Sequence, residues 1–328
     1  RPFHWIDTTS RGNSIDIYQP RCFSVSNFKL FGKSISALLS KRATVKTYKR
    51  LNLSVDALYA HFWGSGVVAG EIANKYNVPF FVATGESKIW VNNQFSSAYI
   101  QKRMKKLKGV ISVSTKNKNE SLNLGLGVDV PYAILPNAIN TSKFKPLDRM
   151  AARELLNFPK DAFIISFVGA FIERKGPLRV LEAVRKLEDP AIKIIFIGDG
   201  PQKPEGDEVL SASRIPHGEV AQYLSASDVF VLPTLAEGCS NAIVEAMACG
   251  LPIISSDLEF NHDILDSGNS ILINPNDIDS IAKAIYQVKE NPSWCEKLSL
   301  DSLAKVNELS IEMRAKKIIR FLNENISY

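Results

Sequence analysis

Four cysteines are scattered through 328 residues, and Cys22, Cys239, Cys249 and Cys295 form no Cys-x-x-Cys pair and no Cys/His metal spacing. That argues against a disulfide-stapled fold or a zinc site, and the thiols read as reduced ones in a cytoplasmic protein. No apolar run approaches the ~20 residues needed to span a bilayer, and no secretory leader pattern is visible. The pair Gly198-x-Gly200 lacks the rest of a dinucleotide fingerprint, which gives a nicotinamide enzyme little support. No internal repeat, low-complexity tract or nucleic-acid-binding motif is present.

What the chain does have is enough apolar residues, 45% of the total, to build two separate cores, with 23% charged residues keeping the surface ordinary for a globular protein. The charge is uneven. Residues 1–136 hold 19 Lys/Arg against 7 Asp/Glu, a net of +12, whereas residues 137–328 hold 21 against 27, a net of −6. A basic half attracts anionic partners: lipid headgroups, phosphorylated acceptors or nucleic acid, the last disfavoured because no motif accompanies the charge. The densest run is Gln101-Lys-Arg-Met-Lys-Lys-Leu-Lys108. It reads equally as a solvated helix face or as a membrane-contact patch.

Strand and helix patterns alternate almost throughout, which favours parallel sheets covered by helices on both faces. Strands are predicted at 57–60, 79–82 and 109–113 with helices near 66–76 and 95–107, and then at 163–168, 192–197, 229–232, 252–255 and 271–273. Ile15-Asp-Ile-Tyr18 reads as a further strand. Prolines and polar residues interrupt the pattern between Pro136 and Pro146, which sets a boundary between residues 1–136 and 137–310. Residues 311–328 carry a terminal helix with apolar positions at Ile311, Ala315, Ile318, Ile319 and Leu322.

One segment concentrates the chemistry. Asp228-Val-Phe-Val-Leu-Pro233 is a buried strand, and Asn241–Cys249 is helical, with Ser240 a natural N-cap and Gly250-Leu-Pro252 a stop. The amides of Gly238, Cys239, Ser240 and Asn241 would then present the positive end of a helix dipole, a ready phosphate site. No Glu or Gln stands at the third helical position to close a capping box, so those amides are free for a ligand. Glu237 enters the loop and Glu245 lies one turn up the helix. Two carboxylates flanking an anion-binding helix tip suit a ligand with hydroxyls on both sides of a phosphate, as in a nucleotide sugar.

Glu237 and Glu245, eight apart and followed by Ala-Met-Ala-Cys-Gly-Leu-Pro, resemble the E-x7-E motif of retaining glycosyltransferases of family 4. The likeness extends through Phe163–Gly169 with Glu173-Arg-Lys-Gly-Pro177, through Ile194-Ile-Phe-Ile-Gly-Asp-Gly-Pro201, and through Glu219–Asp228. It includes Leu135-Pro-Asn-Ala-Ile-Asn140 with Phe144 and Pro146, and Ala60-His-Phe-Trp-Gly64. The resemblance implies the α/β GT-B fold: two Rossmann-like doubly wound domains facing across a cleft. Residues 1–136 would be the acceptor-side domain, 137–310 the nucleotide-sugar donor domain, and 311–328 a helix crossing back onto the first. Members normally begin with a strand, a Gly-rich loop and a helix before anything like this start, so the first domain is expected to be N-terminally truncated.

The implied activity is retaining transfer of a hexose from a nucleotide-diphosphate sugar to a glycan or lipid-linked acceptor, in cell-surface polysaccharide or glycolipid synthesis. By residue-wise carry-over, Lys175 would stabilise charge on the leaving diphosphate. Arg174 is the candidate substitute for an arginine the family often has at the position of Ala170. Glu245 would hold the ribose hydroxyls, Glu237 would face the transferred sugar, and Gly238, Cys239, Ser240 and Asn241 would bind diphosphate and sugar. His61 resembles an acceptor-domain histidine, and Glu86 stands where many relatives carry another, as a candidate for orienting the acceptor. No metal and no cofactor is implied. A nucleotide-sugar-binding protein with impaired catalysis and a GT-B epimerase remain the alternatives. The implied location is cytoplasmic, or peripheral on the inner face of the membrane.

Overall fold

The structure, a computed structural model, describes residues 3–9, 12–23, 29–30 and 33–326. Strand β1 (His4–Thr8) pairs antiparallel with β2 (Ser14–Tyr18). The segment Ile15–Tyr18, read above with the parallel strands, therefore stands apart in a two-stranded hairpin. Its residues are exposed or half-buried, whereas a parallel strand is buried on both faces. A short pair, β3 (Lys29–Leu30) with β4 (Lys33–Ser34), leads into α1 (Ile35–Leu51), where the Ser34 side chain caps the first turn by accepting from the Ala37 amide.

The first sheet contains β5 (Leu58–His61), β6 (Phe80–Thr84), β7 (Leu107–Ser112) and β8 (Tyr132–Ile134), parallel and in that order. Helices α2 (Phe62–Tyr76), α3 (Val91–Gln94), α4 (Ser97–Gln101) and α5 (Thr115–Asn123) make the crossovers. The single helix expected over 95–107 is replaced by α3, α4 and a 3-10 turn at Met104–Lys106, because Phe95 and Ser96 are extended between the two helices. The basic run is consequently not one helix face. Arg103 turns inward, donating from Nε and Nη2 to Glu71 at 3.1 and 2.9 Å and lying over the Tyr99 ring, while Lys102 and Lys105 stay exposed.

The second sheet is built from β9 (Phe163–Val168), β10 (Ile192–Ile197), β11 (Val209–Ser213), β12 (Val229–Leu232), β13 (Ile253–Ser256) and β14 (Ser270–Ile273). All are parallel, in the order β11-β10-β9-β12-β13-β14. Helices α6 (Arg149–Leu155), α7 (Pro177–Lys186), α8 (Val220–Ser225), α9 (Asn241–Ala248), α10 (Ile278–Glu290) and α11 (Pro292–Asn307) surround it. The strand order reverses between β9 and β12, and open α/β sheets bind ligands outside the carboxyl ends of the strands at such a switch point.

Helix α12 (Ile311–Ile326) returns to the first sheet. Its Phe321 lies edge-on to Phe81 and rests where a side chain at Gly109 would stand, since a Cβ there would come within 2.8 Å of the Phe321 ring. The outgoing and returning chains are hydrogen-bonded to each other, Ile139 N to Leu309 O at 2.8 Å and Ile311 N to Ile139 O at 3.2 Å. Arg314 Nε donates to Pro136 O at 2.8 Å beside them. Across the two halves, Thr115 donates from N and Oγ1 to the two oxygens of Asp263, both at 2.7 Å, and Asn119 donates to Glu259 at 2.5 Å. Among the described residues no helix is long and apolar enough to cross a membrane.

Candidate active site

The switch point is occupied by the loop between β12 and α9. Thr234 Oγ1 donates to Glu237 Oε1 at 3.0 Å, and Lys175 Nζ and Arg174 Nη1 donate to the same oxygen, Arg174 at 3.3 Å. Arg174 also donates to the Ala236 carbonyl. Lys175 arrives from the turn before α7, which starts at a left-handed Gly176 with Pro177 at the first helical position. Its stem runs within 3.5 Å of where a Gly169 Cβ would be, so the end of β9 and the head of α7 meet in front of Glu237. Cations at a helix start oppose the dipole and leave an anion as the reason for them.

Ser240 takes the N-cap position of α9, but its hydroxyl does not cap, contrary to the sequence reading: Oγ is buried and has no hydrogen-bond partner. No acceptor among the described residues meets the N–H groups of Gly238 to Ile243. Four or more open amides and an unpartnered hydroxyl at a buried helix tip are what an anion would satisfy. The loop is held from outside: Asn137 Nδ2 donates to Cys239 O at 2.9 Å and to Asn241 Oδ1 at 2.8 Å. Gly238 lies against the first domain so closely that a Cβ would sit 2.1 Å from Gly85 O, which only glycine allows. Burial pushes the Cys239 thiol up to about 11, so it stays protonated and contributes no charge beside the amides.

Glu245, one turn into α9, is 8% exposed, and its Oε1 accepts from His217 Nε2 at 3.0 Å. Burial holds its carboxyl above the usual range, and the histidine pulls the other way. Lys175, Glu237, Ser240, Asn241 and Glu245 line one cavity. A second, containing Gly198–Gly200, Arg214 and His217, adjoins it, and Val168, Gly169 and Ala170 belong to both. Arg174 is at the rim, with its side chain 37% exposed.

His61 and Glu86 line a different, larger cavity on the first domain, together with Phe62 and Trp90. His61 ends β5 and makes no capping bond. The Glu86 carboxylate is already engaged: it accepts from Thr84 Oγ1 at 2.6 Å, Gly85 N at 2.9 Å and Trp63 N at 3.1 Å. It thus closes the start of α2.

Two residues of the site escaped the sequence reading. His217 is one of four histidines, and it stands 28 residues before its carboxylate partner; its scarcity was the one available signal. Asn137 lies in the Leu135–Asn140 segment between the domains, but nothing local says that its amide reaches α9.

Two domains with parallel sheets, facing each other with a polar loop at the switch point, make this a GT-B fold. Sucrose-phosphate synthase from Thermosynechococcus elongatus superposes with a TM-score of 0.79 at 20% identity, over 99% of this chain and 86% of that one. HepE of Anabaena in complex with UDP gives a TM-score of 0.75 at 17% identity, over 89% and 84%. Residues 148–301 match the family described as glycosyl transferases group 1. Among curated relatives, the putative teichuronic acid biosynthesis glycosyltransferase TuaC of Bacillus subtilis is 29% identical over 77% of this chain and 66% of its own length. The UDP-Gal:alpha-D-GlcNAc-diphosphoundecaprenol alpha-1,3-galactosyltransferase of Escherichia coli is 25% identical over 79% and 73%. The alpha-monoglucosyldiacylglycerol synthase of Acholeplasma laidlawii is 24% identical over 87% and 78%.

Proposed function

We propose that this chain transfers a hexose from a nucleotide-diphosphate sugar to a glycan or lipid-linked acceptor, with retention at the anomeric carbon and without a metal or cofactor. The observation that carries this is the helix tip itself: open amides from Gly238, the unpartnered Ser240 hydroxyl, and Lys175 and Glu237 in the same cavity as Glu245. The diphosphate takes the amides, Ser240 and Lys175, with Arg174 at the rim. Glu245 takes the ribose, and Glu237 faces the sugar where positive charge grows as the glycosidic bond breaks. Fixed cations at the leaving diphosphate act mainly in the transition state. Retention follows if the departing phosphate accepts the proton of the incoming hydroxyl on the face it leaves.

The acceptor lies on the first domain, in the cavity of His61 and Glu86. Relatives named for teichuronic acid, for an undecaprenol-linked acceptor and for a diacylglycerol glycolipid support a cell-surface polymer or lipid as its class. An anionic membrane surface on the cytoplasmic side is the matching partner for the basic half. Lys102 and Lys105 would carry that contact together with Arg42, Lys46, Lys49 and Arg50, exposed on α1.

Calorimetry tests the donor reading. Glu245→Ala should weaken nucleoside diphosphate binding by about 1–3 kcal/mol, the scale of lost hydrogen bonds to a charged group, and unchanged affinity would sink the ribose assignment. Product NMR tests the stereochemistry, and an inverted anomer would overturn retention.

A further inference from the structure

His217 stands at the join between the two adjoining cavities: it lines the one and bonds Glu245 of the other. The two partners differ sharply in freedom. The Glu245 side chain is 10% exposed on a helix, whereas the His217 side chain is 71% exposed on the 3-10 turn His217–Glu219. The next residue, Gly218, has nothing within 4 Å of its Cβ direction, so the turn has room. The His217 ring also has a second neighbour, Phe144, at 5.3 Å between centroids.

A buried carboxylate needs hydrogen-bond donors. Oε1 of Glu245 has one in His217 Nε2, and Oε2 has none among the described residues. A ribose diol engages a carboxylate most favourably with one hydroxyl on each oxygen, and His217 already occupies one of the two. We propose that His217 is a positioning residue that stands in for one ribose hydroxyl on Glu245 until a nucleotide displaces it. It keeps the carboxylate aimed into the trough in the donor-free protein, and its departure makes both oxygens available to the diol. This rests on the proposed function, in which Glu245 receives the ribose.

The competition has a sign. Removing the stand-in leaves Glu245 unsatisfied in the free protein and spares the ligand a bond to break, so binding tightens. Titrating UDP, GDP and inorganic pyrophosphate by calorimetry, His217→Ala should bind the preferred nucleoside diphosphate about 3- to 10-fold more tightly, the scale of one such hydrogen bond. Pyrophosphate affinity should not move. His217→Gln, which retains an N–H donor, should return wild-type affinity. In steady state the donor KM should fall with kcat nearly unchanged. Weaker or unchanged nucleotide binding in His217→Ala, with Glu245→Ala still harmful, would show that the histidine holds the ligand or is a bystander and would overturn the proposal alone. An equal change for pyrophosphate would overturn it too, by placing the effect on the phosphates. If Glu245→Ala leaves nucleotide affinity intact, the ribose reading falls first and this inference with it.

Discussion

Two helices begin at the carboxyl ends of strands, α2 in the first domain and α9 in the second, and their first turns are treated in opposite ways. At α2 the protein supplies its own anion: Glu86 reaches in from the neighbouring strand end and accepts from Trp63 N. At α9 the amides from Gly238 onward are left open, Ser240 withholds its hydroxyl, and the carboxylate that enters the loop, Glu237, is turned to Lys175 and Arg174 instead. The same local device, an unsatisfied helix start, is closed by the protein itself in one domain and left open in the other. Which one a helix becomes depends on a residue from elsewhere in the chain.

The comparison breaks most clearly at Lys175. Lys175→Ala should cost on the order of 100-fold or more in turnover while donor affinity changes much less, because the charge it meets develops only as the bond breaks. Equal losses in both would make it a binding residue only, and full activity would shift the role to Arg174. Next comes Glu86, whose loss should be felt as stability. Glu86→Ala removes a half-buried acceptor of three hydrogen bonds and should lower the unfolding free energy by about 2–3 kcal/mol in urea titrations. Intact stability with lost acceptor turnover would move Glu86 from cap to catalytic group.

Glu245 should show the reverse balance. Burial favours its neutral form in the folded state, so the folded protein binds the proton more strongly and stability falls as pH rises through the carboxyl's titration. Glu245→Gln should therefore raise the melting temperature by a few degrees at pH 7 relative to wild type and by less at pH 4. A destabilised glutamine variant at neutral pH would contradict the burial cost. The smallest effect concerns the basic half. Vesicle binding by residues 102–106 and the exposed face of α1 should fall steeply with salt, and Lys102→Ala with Lys105→Ala should lower it by a further about 1 kcal/mol per residue. Arg103→Ala, whose side chain is turned to Glu71, should act on folding instead.

The second domain was largely legible because its strands are continuous apolar runs: 163–168, 192–197 and 229–232 stand in the structure as read. Strand β11 was missed since Val-Leu-Ser-Ala-Ser lies half-buried at a sheet edge and carries no apolar run. The helix expected over 95–107 failed where Phe95 chose burial over helical geometry. At the site, the residues adjacent in sequence, Glu237 to Glu245, announced themselves. The pairing of His217 with Glu245 and of Asn137 with Asn241 could not, because both are products of the fold and leave no trace in spacing.

The paired crossing at Ile139, Leu309 and Ile311 has a consequence for motion. With α12 back on the first sheet, the second domain is an insertion whose two tethers run side by side and are stitched together. Any movement of one domain against the other therefore has its covalent pivot at the Ile139–Ser310 bridge, and it must also part the Thr115–Asp263 and Asn119–Glu259 hydrogen bonds across the halves. Cutting the linker in a loop on either side would nick the chain without freeing either half.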